Sequence, residues 1–402
     1  MAEPLVSIGS IRTAREALIG VIRPTPVDRI ESLSGLAGRP IMVKPEYRQV
    51  TGSYKIRGAY NLIRSLEPGQ AVVAASAGNH AQGVARAARL TDRRATIFMP
   101  RSAALPKIQA TRADGAQVEL VDGIVDDAIR AARQESERSG SVFVHPFDDA
   151  AIIAGQGTVG LELLDDLAED VTIVVPVGGG GLISGIATAV RDARPAQPII
   201  GVEAQGAPAM RFALDSGEPL PLGDVSTIAD GIAVQQVSQR TLDHVRALVN
   251  DVVTVGDDSI GEAFVLLLER AKAVVEPAGA AALAAVLSGK IPGDGPVCCV
   301  LSGGNVDPIM LTRLVEHGLS AAGRYLVLRV VVEDRPGALA NLTAVVAELG
   351  LNVHSVEHHR VGLRLGLDKV EVLLTLETRD PTHRDETVAE LGSRGYQVEP
   401  MS

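Results

Sequence analysis

One lysine in this sequence stands where its amine could act as a nucleophile. Lys55 lies in segment 51–61 among small and apolar residues, with Ser53 two positions before it and a helix-like apolar spacing after it. Burial disfavours the ammonium form, so a desolvated lysine can attack a carbonyl and form a Schiff base. A lone lysine at a helix start is more often a solvated surface charge. The prediction therefore depends on what accompanies Lys55.

Four consecutive glycines, residues 178–181, follow an apolar run and precede a helix-like segment. Backbone N–H groups of such a loop can approach a phosphate closely, and the N-terminus of the next helix adds a partial positive charge. The dinucleotide fingerprint fails because its third glycine would fall at Ser184, and no Walker A lysine follows. The loop predicts a phosphate site without a dinucleotide, and a tight turn between strand and helix is the alternative.

Two further polar turns follow predicted strands. Residues 76–80 (Ser-Ala-Gly-Asn-His) offer free N–H groups beside polar side chains, which suits a carboxylate or a ring hydroxyl, and residues 302–305 (Ser-Gly-Gly-Asn) form a similar turn. All three turns lie where strands end and helices start, which is the edge of an α/β sheet where ligands bind. Each turn alone is a weak signal, and His80 alone is more often a helix-start histidine than a catalyst.

The elements that must position these turns alternate between strand and helix. Helix-like segments such as 84–90 and 186–191 separate predicted strands at 41–44, 72–75, 95–99, 117–120, 142–144, 171–177, 198–203 and 297–301. Short connections between alternating strands and helices predict an α/β fold of doubly wound parallel sheets. From residue 325 the order becomes βαββαβ, which predicts a separate ferredoxin-like module at residues 325–402.

Composition and charge exclude several classes of function. The chain has 402 residues and a net charge of −11, which argues against a nucleic-acid partner. The cysteines, Cys298 and Cys299, are adjacent in an apolar run, so we expect two core residues in a reducing cytoplasm and no disulfide. No apolar run reaches membrane length, and no signal peptide is evident. We therefore expect a cytoplasmic protein with no membrane partner.

Taken together, the polar turns and the lysine segment resemble a known family. Residues 53–59 (Ser-Tyr-Lys-Ile-Arg-Gly-Ala), 76–80, 178–182 and 302–305 are similar, in order and spacing, to the threonine dehydratase (threonine ammonia-lyase) and serine racemase branch of fold-type II pyridoxal-phosphate enzymes. The C-terminal module looks like an ACT domain, as in medium-length threonine dehydratases. The resemblance implies a tryptophan synthase β-like catalytic domain at 1–322, with a small subdomain of about 45–145 inserted in the large one.

The resemblance also implies a role for each residue. Lys55 would bind the aldehyde of pyridoxal 5'-phosphate and then remove the substrate Cα proton. Asn79 would bond the ring hydroxyl, and Ser302 would lie at the pyridine nitrogen. The phosphate would be held by Gly178, Gly179, Gly180, Gly181 and Leu182. The substrate-binding residues would be Ser76, Ala77, Asn79 and His80 at the carboxylate, with Gln156 in a further family segment that lines the site.

Two departures from the family pattern refine the expectation. Where serine racemases carry a second serine that returns a proton from the opposite face, this chain has Ala77, which favours elimination over racemisation. The family's divalent-cation site uses a glutamate, matched by Glu203, and an aspartate six residues on, where this chain has Ala209. We therefore assign no metal-binding residue, and whether a cation binds stays open.

The implied reaction is β-elimination by a carbon–nitrogen lyase, which converts L-threonine to 2-oxobutanoate and ammonia, with L-serine to pyruvate as a slower reaction. A serine/threonine racemase or 3-hydroxyaspartate dehydratase of the same fold, and an amino-acid sensor without catalysis, are the alternatives. The ACT-like module would bind isoleucine or valine at a subunit interface, so we expect a homotetramer or homodimer. The sign of the effect, and a role in isoleucine synthesis or threonine breakdown, stay open.

Overall fold

A computed structural model describes residues 4–359 and 368–401 of the chain. The chain divides into two compact units, Met1–Leu311 and Thr312–Ser402. The division falls within a helix, Pro308–Ala321, whereas the boundary predicted from the sequence lies at the end of that helix.

The first unit is built from alternating strands and helices. Its helices are α1 (Ile8–Ala17), α2 (Glu31–Ala37), α3 (Lys55–Arg64), α4 (Asn79–Leu90), α5 (Leu105–Ala113), α6 (Val125–Ser139), α7 (Ala150–Asp166), α8 (Gly181–Ala193), α9 (Ala209–Ser216), α10 (Gln239–Leu248), α11 (Asp257–Arg270) and α12 (Pro277–Leu287). Its strands are β1 (Asp28–Arg29), β2 (Ile41–Lys44), β3 (Val72–Ala75), β4 (Ala95–Pro100), β5 (Gln117–Val121), β6 (Val142–Phe143), β7 (Thr172–Pro176), β8 (Ile199–Ala204), β9 (Asp251–Val255) and β10 (Val297–Val300). Helix α13 (Pro308–Ala321) follows.

The larger sheet has the order β1-β2-β10-β7-β8-β9. Its strands run parallel apart from β1, which pairs antiparallel with β2. The strands β2, β10 and β7 are neighbours, with Val300 opposite Lys44 and Cys299 opposite Val174. Their carboxyl ends therefore meet at one edge of the sheet, and the segments that follow them are brought together there.

The smaller sheet is parallel throughout, in the order β5-β4-β3-β6. The chain leaves the larger sheet after β2, builds the smaller sheet, and returns through α7 and β7. Strand β3 is buried at every position because helices cover both faces, and its apolar run shows no alternation for that reason. The predicted α/β class with two parallel-sheet subdomains is confirmed.

The second unit is a four-stranded antiparallel sheet with two helices. Its elements are β11 (Tyr325–Glu333), α14 (Ala338–Glu348), β12 (Val353–His359), β13 (Lys369–Glu377), α15 (Pro381–Ser393) and β14 (Gln397–Met401). The strand order β12-β13-β11-β14 is that of a ferredoxin-like domain. Alternate residues of β11 and β13 are buried, as period-two patterning requires when one sheet face packs on helices. The predicted βαββαβ module is confirmed.

Several element predictions were incomplete. Helices α4 and α8 begin at Asn79 and Gly181, within the segments 76–80 and 178–181, and not at residues 84 and 186. Small and polar residues of the first helical turn lack the apolar spacing by which we recognised a helix. Elements β1, α2, α10, β9 and α13 were not predicted at all. We found no helix among the described residues that combines the length and apolarity needed to cross a membrane.

Candidate active site

Backbone hydrogen bonds join the lysine segment to the turn at 302–305. The amide of Tyr54 donates to the carbonyl of Ser302 (3.2 Å), and the amide of Gly304 donates to the carbonyl of Gly52 (2.9 Å). Ser53 and Gly303 form an isolated antiparallel bridge between them. Ser302 is therefore held next to the residues that lead into Lys55.

Lys55 is the first residue of α3, and its side chain is partly buried. Its Nζ donates to the carbonyl of Pro146 (2.9 Å) and lies 5.3 Å from the centre of the Tyr54 ring. Desolvation lowers the pKa of Lys55 to about 8, against the opposing attraction of the Glu276 carboxylate. A useful fraction of the amine is therefore neutral near neutral pH, as a nucleophile or base requires.

Close helix packing fixes the position of α3. A Cβ on Gly155 of α7 would lie 2.5 Å from the Cα of Gly58 and 2.6 Å from the carbonyl oxygen of Arg57, so only glycine allows this approach. The carboxamide oxygen of Gln156 accepts a hydrogen bond from the Gly58 amide (3.2 Å), and Gln156 is buried. The structure places Gln156 between α3 and α7, where it supports the helix that carries Lys55.

The turn at 76–80 connects β3 to α4 beside the start of α3. A Cβ on Gly83 of α4 would lie 3.1 Å from the carbonyl carbon of Lys55, so the two helices approach closely near the lysine. The Ser76 hydroxyl accepts a hydrogen bond from the Gly78 amide (3.1 Å) and shapes the turn. The first amides of α4 have no partner within the helix, which makes its N-terminus suitable for an anion. Ala77 lines an adjacent cavity of about 640 Å³.

Asn79 connects the turn at 76–80 with the turn at 302–305. Its Oδ1 accepts from Nδ2 of Asn305 (2.8 Å), and the same Asn305 nitrogen donates to the carbonyl of Thr51 (2.8 Å). Its Nδ2 donates to Oε1 of Glu276 (2.6 Å). One N–H of the Asn79 amide is thus used by Glu276, and the second is available for a ligand.

Glu276 is a site residue that the sequence reasoning missed. It precedes α12, is almost fully buried, and its amide donates to the Gly303 carbonyl (3.0 Å). Burial and the nearby Asp230 raise its pKa to about 7, although Lys107, Asn79 and Lys55 lower it. In the sequence Glu276 is one acidic residue before Pro277, a pattern typical of a helix start, and no local signal indicates its contact with Asn79.

The glycine loop leads into the N-terminus of α8. Gly180 has φ +88°, a left-handed conformation that favours glycine, and caps this helix. A Cβ on Gly178 would lie 2.9 Å from the Cα of Ile232, and one on Gly179 would collide with the ring of Phe147. The Leu182 side chain lies in the hydrophobic core. The loop therefore presents backbone amides, as a phosphate cradle requires.

Residues Pro146 and Phe147 link the glycine loop to Lys55. Pro146 accepts the hydrogen bond from the lysine amine, and Phe147 covers Gly179 and Gly181. His145 stands before them, and its Nδ1 accepts from the amide of Asp148 (2.8 Å). Desolvation lowers the pKa of His145 to about 4, with Asp148 opposing the shift and Arg133 and Lys55 adding to it. His145 is therefore neutral and holds the turn.

His80 is buried, and its ring is uncharged at neutral pH. Desolvation and the nearby Lys55 lower its pKa to about 3, although a hydrogen bond to the Val144 carbonyl (2.8 Å) opposes the shift. Because a carbonyl can only accept, Nε2 of the neutral ring carries the proton. The structure thus places His80 behind the turn at 76–80, as a neutral group that fixes it.

Glu203 binds the first amides of helix α9 in this structure. Its carboxylate accepts from the amides of Met210 (2.7 Å) and Arg211 (2.8 Å) in the first turn of α9. Burial raises its pKa to about 7, against these hydrogen bonds and the charge of Arg211. Ala209, the first residue of α9, supplies no ligand atom in its side chain. Among the described residues no group of three or more His, Cys, Asp or Glu side chains is placed to bind a metal.

Comparison with known proteins assigns both parts of the chain. Residues 18–303 match the model of the pyridoxal-phosphate dependent enzymes, and residues 326–395 match the ACT domain. The chain belongs to the pyridoxal-phosphate dependent enzyme family. The fold-type II resemblance and the ACT module predicted from the sequence are confirmed, and the cofactor of the family is pyridoxal phosphate. An ACT domain implies that an amino acid binds as an effector.

Several of the similar proteins are named as enzymes of threonine. An L-threonine ammonia-lyase of Thermotoga maritima is 44% identical over 397 residues, which is 98% of this chain and 99% of the relative. The crystal structure of a T.th. threonine deaminase has a TM-score of 0.71 and 38% identity, and covers 75% of this chain and 99% of that one. Maize serine racemase has a TM-score of 0.74 and 35% identity, over 79% of this chain and 99% of that one.

Proposed function

We propose that this pyridoxal-phosphate dependent enzyme deaminates L-threonine to 2-oxobutanoate and ammonia, and L-serine to pyruvate more slowly. The observation that carries the proposal is the meeting of Lys55, the turn at 76–80 and the glycine loop in one site, in a chain 44% identical over almost its whole length to an L-threonine ammonia-lyase. Each group has a distinct task in a β-elimination.

The residues of the site fit pyridoxal phosphate. The amides of residues 178–182, at the N-terminus of α8, would hold the phosphate. The free N–H of Asn79 would donate to the ring hydroxyl, and the Ser302 hydroxyl would lie at the ring nitrogen. A bound pyridoxal phosphate supplies an electron sink for the negative charge that develops at the substrate Cα.

Lys55 moves the protons of the reaction. Its amine would hold the cofactor aldehyde covalently and, once displaced by the substrate amine, remove the Cα proton. The bond between Cβ and the hydroxyl oxygen then breaks, and the hydroxyl leaves as water after it gains a proton. The released enamine takes up water and yields 2-oxobutanoate and ammonia, so one water leaves and one enters.

The turn at 76–80 would receive the substrate carboxylate. Ser76 and Ala77 lie before the free amides of α4, and Asn79 and His80 begin that helix. This arrangement would orient the Cα–H bond toward Lys55. Holding the reacting groups in the right geometry lowers the activation barrier by several kcal/mol. Gln156, which the resemblance gives as substrate-binding, also supports Lys55 through its hydrogen bond to the Gly58 amide of α3.

Loading of the cofactor should follow the titration of Lys55. A group with a pKa of about 8 is mostly protonated below that pH, so the loading rate should fall about tenfold per pH unit below it, because only the neutral amine attacks an aldehyde. The measurement is the rate of appearance of the visible band when the cofactor-free protein is mixed with pyridoxal phosphate at pH 6 to 10. Reaction of the cofactor with Nα-acetyl-lysine, whose one amine titrates near the ordinary side-chain pKa of about 10.4, is the control. A loading midpoint equal to that of Nα-acetyl-lysine would contradict a desolvated Lys55.

Racemisation is the second candidate, because the fold is also that of maize serine racemase. A racemase needs a proton donor on the face of Cα opposite Lys55, and Ala77 has no hydroxyl to provide one. The variant Ala77→Ser should therefore gain formation of D-serine from L-serine, measured by chiral chromatography, while the unaltered enzyme forms little. Ala77→Gly, which adds no hydroxyl, is the matched control. Equal D-serine from all three proteins would show that Ala77 does not decide the outcome.

The test of the proposed function is a product analysis. The enzyme is incubated with L-threonine, and 2-oxobutanoate, ammonia and D-allo-threonine are quantified; a parallel incubation with 3-hydroxyaspartate measures ammonia release from that substrate. We expect 2-oxobutanoate and ammonia in equal amounts and almost no epimer. Dominant formation of the epimer would assign a racemase, and dominance of 3-hydroxyaspartate turnover over threonine turnover would assign a dehydratase of that substrate. A protein that bound amino acids without turnover would be a sensor.

The effector of the ACT domain is proposed to be isoleucine or valine. A coupling of about 1–3 kcal/mol would change substrate affinity roughly 5- to 150-fold. We propose a homotetramer or homodimer, since a cavity between paired ACT modules needs two copies of the chain. Calorimetric titration with each amino acid, together with sedimentation, tests both proposals. If neither isoleucine nor valine bound, this effector assignment would be excluded.

A further inference from the structure

A second lysine lies over the turn at 76–80. Lys107 is near the N-terminus of α5, and its side chain is only 16% exposed. A Cβ on Gly78 would lie 3.6 Å from its Nζ and 3.7 Å from its Cδ, so the lysine chain passes directly over the turn. The ammonium group is thereby held beside the N-terminus of α4, where the substrate carboxylate is proposed to bind.

The partner of Lys107 comes from the larger subdomain. Its Nζ lies 3.0 Å from Oδ2 of Asp230, which is in a short 3₁₀ turn (Asp230–Ile232) and has a side chain 63% exposed. The ion pair joins α5, which packs on the smaller sheet, to a segment of the larger one. Both residues line the cavity that contains Ala77, Glu276 and Asn305.

The charges around this cavity are unbalanced. Among its described lining residues, four are acidic, and Lys107 is the one basic residue; the acidic ones are Asp230, Asp257, Glu276 and Asp307. Asp257 accepts from Thr227 and from the amide of Ile228, and Asp307 accepts from the amide of Ile309, so both are engaged in local structure. A carboxylate that enters would meet repulsion from this wall unless a cation compensates it.

We propose that Lys107 is the residue that selects a carboxylate-bearing substrate at this site. Asp230 holds the Lys107 ammonium in place and partly offsets its attraction for the substrate carboxylate. This inference rests on the proposed function. The ammonium has three donors, so it can bond Asp230 and the substrate carboxylate together. The backbone amides of α4 then orient the carboxylate, and Lys107 supplies the full charge that the neutral turn lacks.

The test separates binding from chemistry. Lys107→Met in the holoenzyme should raise the KM for L-threonine about 10- to 100-fold, the usual effect of losing a hydrogen bond to a charged group, with a much smaller change in kcat. Lys107→Arg should restore most of the affinity because it retains the charge. Asp230→Asn should lower the KM, and adding it to Lys107→Met should recover part of the loss. L-Threonine amide, which has no carboxylate, should bind the unaltered enzyme and Lys107→Met equally, as measured by the change in the visible band.

Arg101→Met is the matched control, since it removes a cation of the same subdomain from an exposed pair with Asp122 (2.8 Å). Thermal unfolding verifies that every variant is folded. An unchanged KM in Lys107→Met, or an equal loss of affinity for threonine and its amide, would overturn the inference while the proposed function stands. If the unaltered enzyme forms no 2-oxobutanoate, the proposed function fails, and this inference fails with it.

Discussion

Lys55→Ala is expected to lower the rate of threonine deamination by at least about 10³-fold, because it removes the amine that anchors the cofactor and takes the Cα proton. The lysine is positioned by three independent contacts: the Pro146 carbonyl on its amine, the α7 glycine beneath its helix and the α4 glycine against its backbone. The reaction is followed as 2-oxobutanoate formation with saturating pyridoxal phosphate, so that weak cofactor retention does not imitate a catalytic loss.

A matched lysine variant and chemical rescue separate catalysis from folding. Lys290→Ala removes an exposed lysine of the same unit and should retain full activity. Added methylamine should restore part of the rate to Lys55→Ala, since a small amine can occupy the space of the lost side chain. Near-normal turnover by Lys55→Ala would mean that another residue removes the Cα proton, which would contradict the mechanism.

Arg57→Met is expected to destabilise the first unit by about 3–5 kcal/mol, the usual cost of breaking a buried ion pair from one side. Arg57 is fully buried two residues after Lys55, and binds Glu46 through two bonds, Nε to Oε2 (2.8 Å) and Nη2 to Oε1 (2.7 Å). Its Nη1 also donates to Oε1 of Glu162 (2.6 Å). Lys44 completes the network through Glu162 (2.6 Å). Removing the guanidinium leaves the buried Glu46 carboxylate without its cation.

The effect of Arg57→Met is measured as the shift in the urea unfolding midpoint at equal cofactor loading. Arg12→Met is the control, because the pair of Arg12 with Asp192 (3.1 Å) is exposed and should contribute at most about 1 kcal/mol. Because Arg57 and Lys55 lie in the same helix, cofactor retention should also weaken in Arg57→Met. A change no larger than that of Arg12→Met would show that the network does not stabilise the site.

The same network makes stability depend on pH in the acid range. Burial would raise the pKa of Glu162, but its ion pairs with Arg57 and Lys44 overcome burial and lower it to about 2, from an ordinary value of 4.5. A carboxylate with a lowered pKa stabilises the fold fully above its unfolded pKa, and this contribution is lost as the pH falls toward the folded value. Stability from Glu162 should therefore decline between about pH 4.5 and pH 2.

The sequence predicted the parts of the site that depend on local pattern. A strand followed by glycine and polar residues indicates a turn at a sheet edge, and such turns occur after β3, β7 and β10 as expected. Their meeting follows from the strand order β2-β10-β7, which no local pattern specifies. The family resemblance implied that the turns meet, because membership in a family implies the strand order of its fold.

Contacts between distant residues could not be predicted in this way. Glu276 meets Asn79 across 197 positions of the chain, and Lys107 meets Asp230 across 123. Each of these residues alone is typical of a helix terminus or a polar loop. The family resemblance alone gave Gln156 as a substrate-binding residue, and this stays a prediction. The structure adds contacts that no local pattern indicated: its amide oxygen accepts from the Gly58 amide, and its glycine neighbours allow close helix packing.

Helix starts and the edge strands of the larger sheet, β1 and β9, were the least predictable elements. Strand β9 is short, and its buried residues, Val252 and Val255, do not follow the alternation that identifies a half-buried strand. Helix α10 mixes polar and apolar residues and contains the buried His244, which accepts from the amide of Val6 (2.8 Å). A buried histidine appears polar in the sequence and hides the apolar face that identifies a helix.

The visible absorption spectrum of the 402-residue protein tests most directly whether Lys55 holds the cofactor for a reaction of threonine. We expect a visible band that is lost in Lys55→Ala, changes on addition of L-threonine, and returns to its first form as 2-oxobutanoate accumulates. A band that is present but does not change with threonine would show that threonine is not the substrate. No band after addition of pyridoxal phosphate, or an unaltered band in Lys55→Ala, would show that Lys55 does not hold the cofactor.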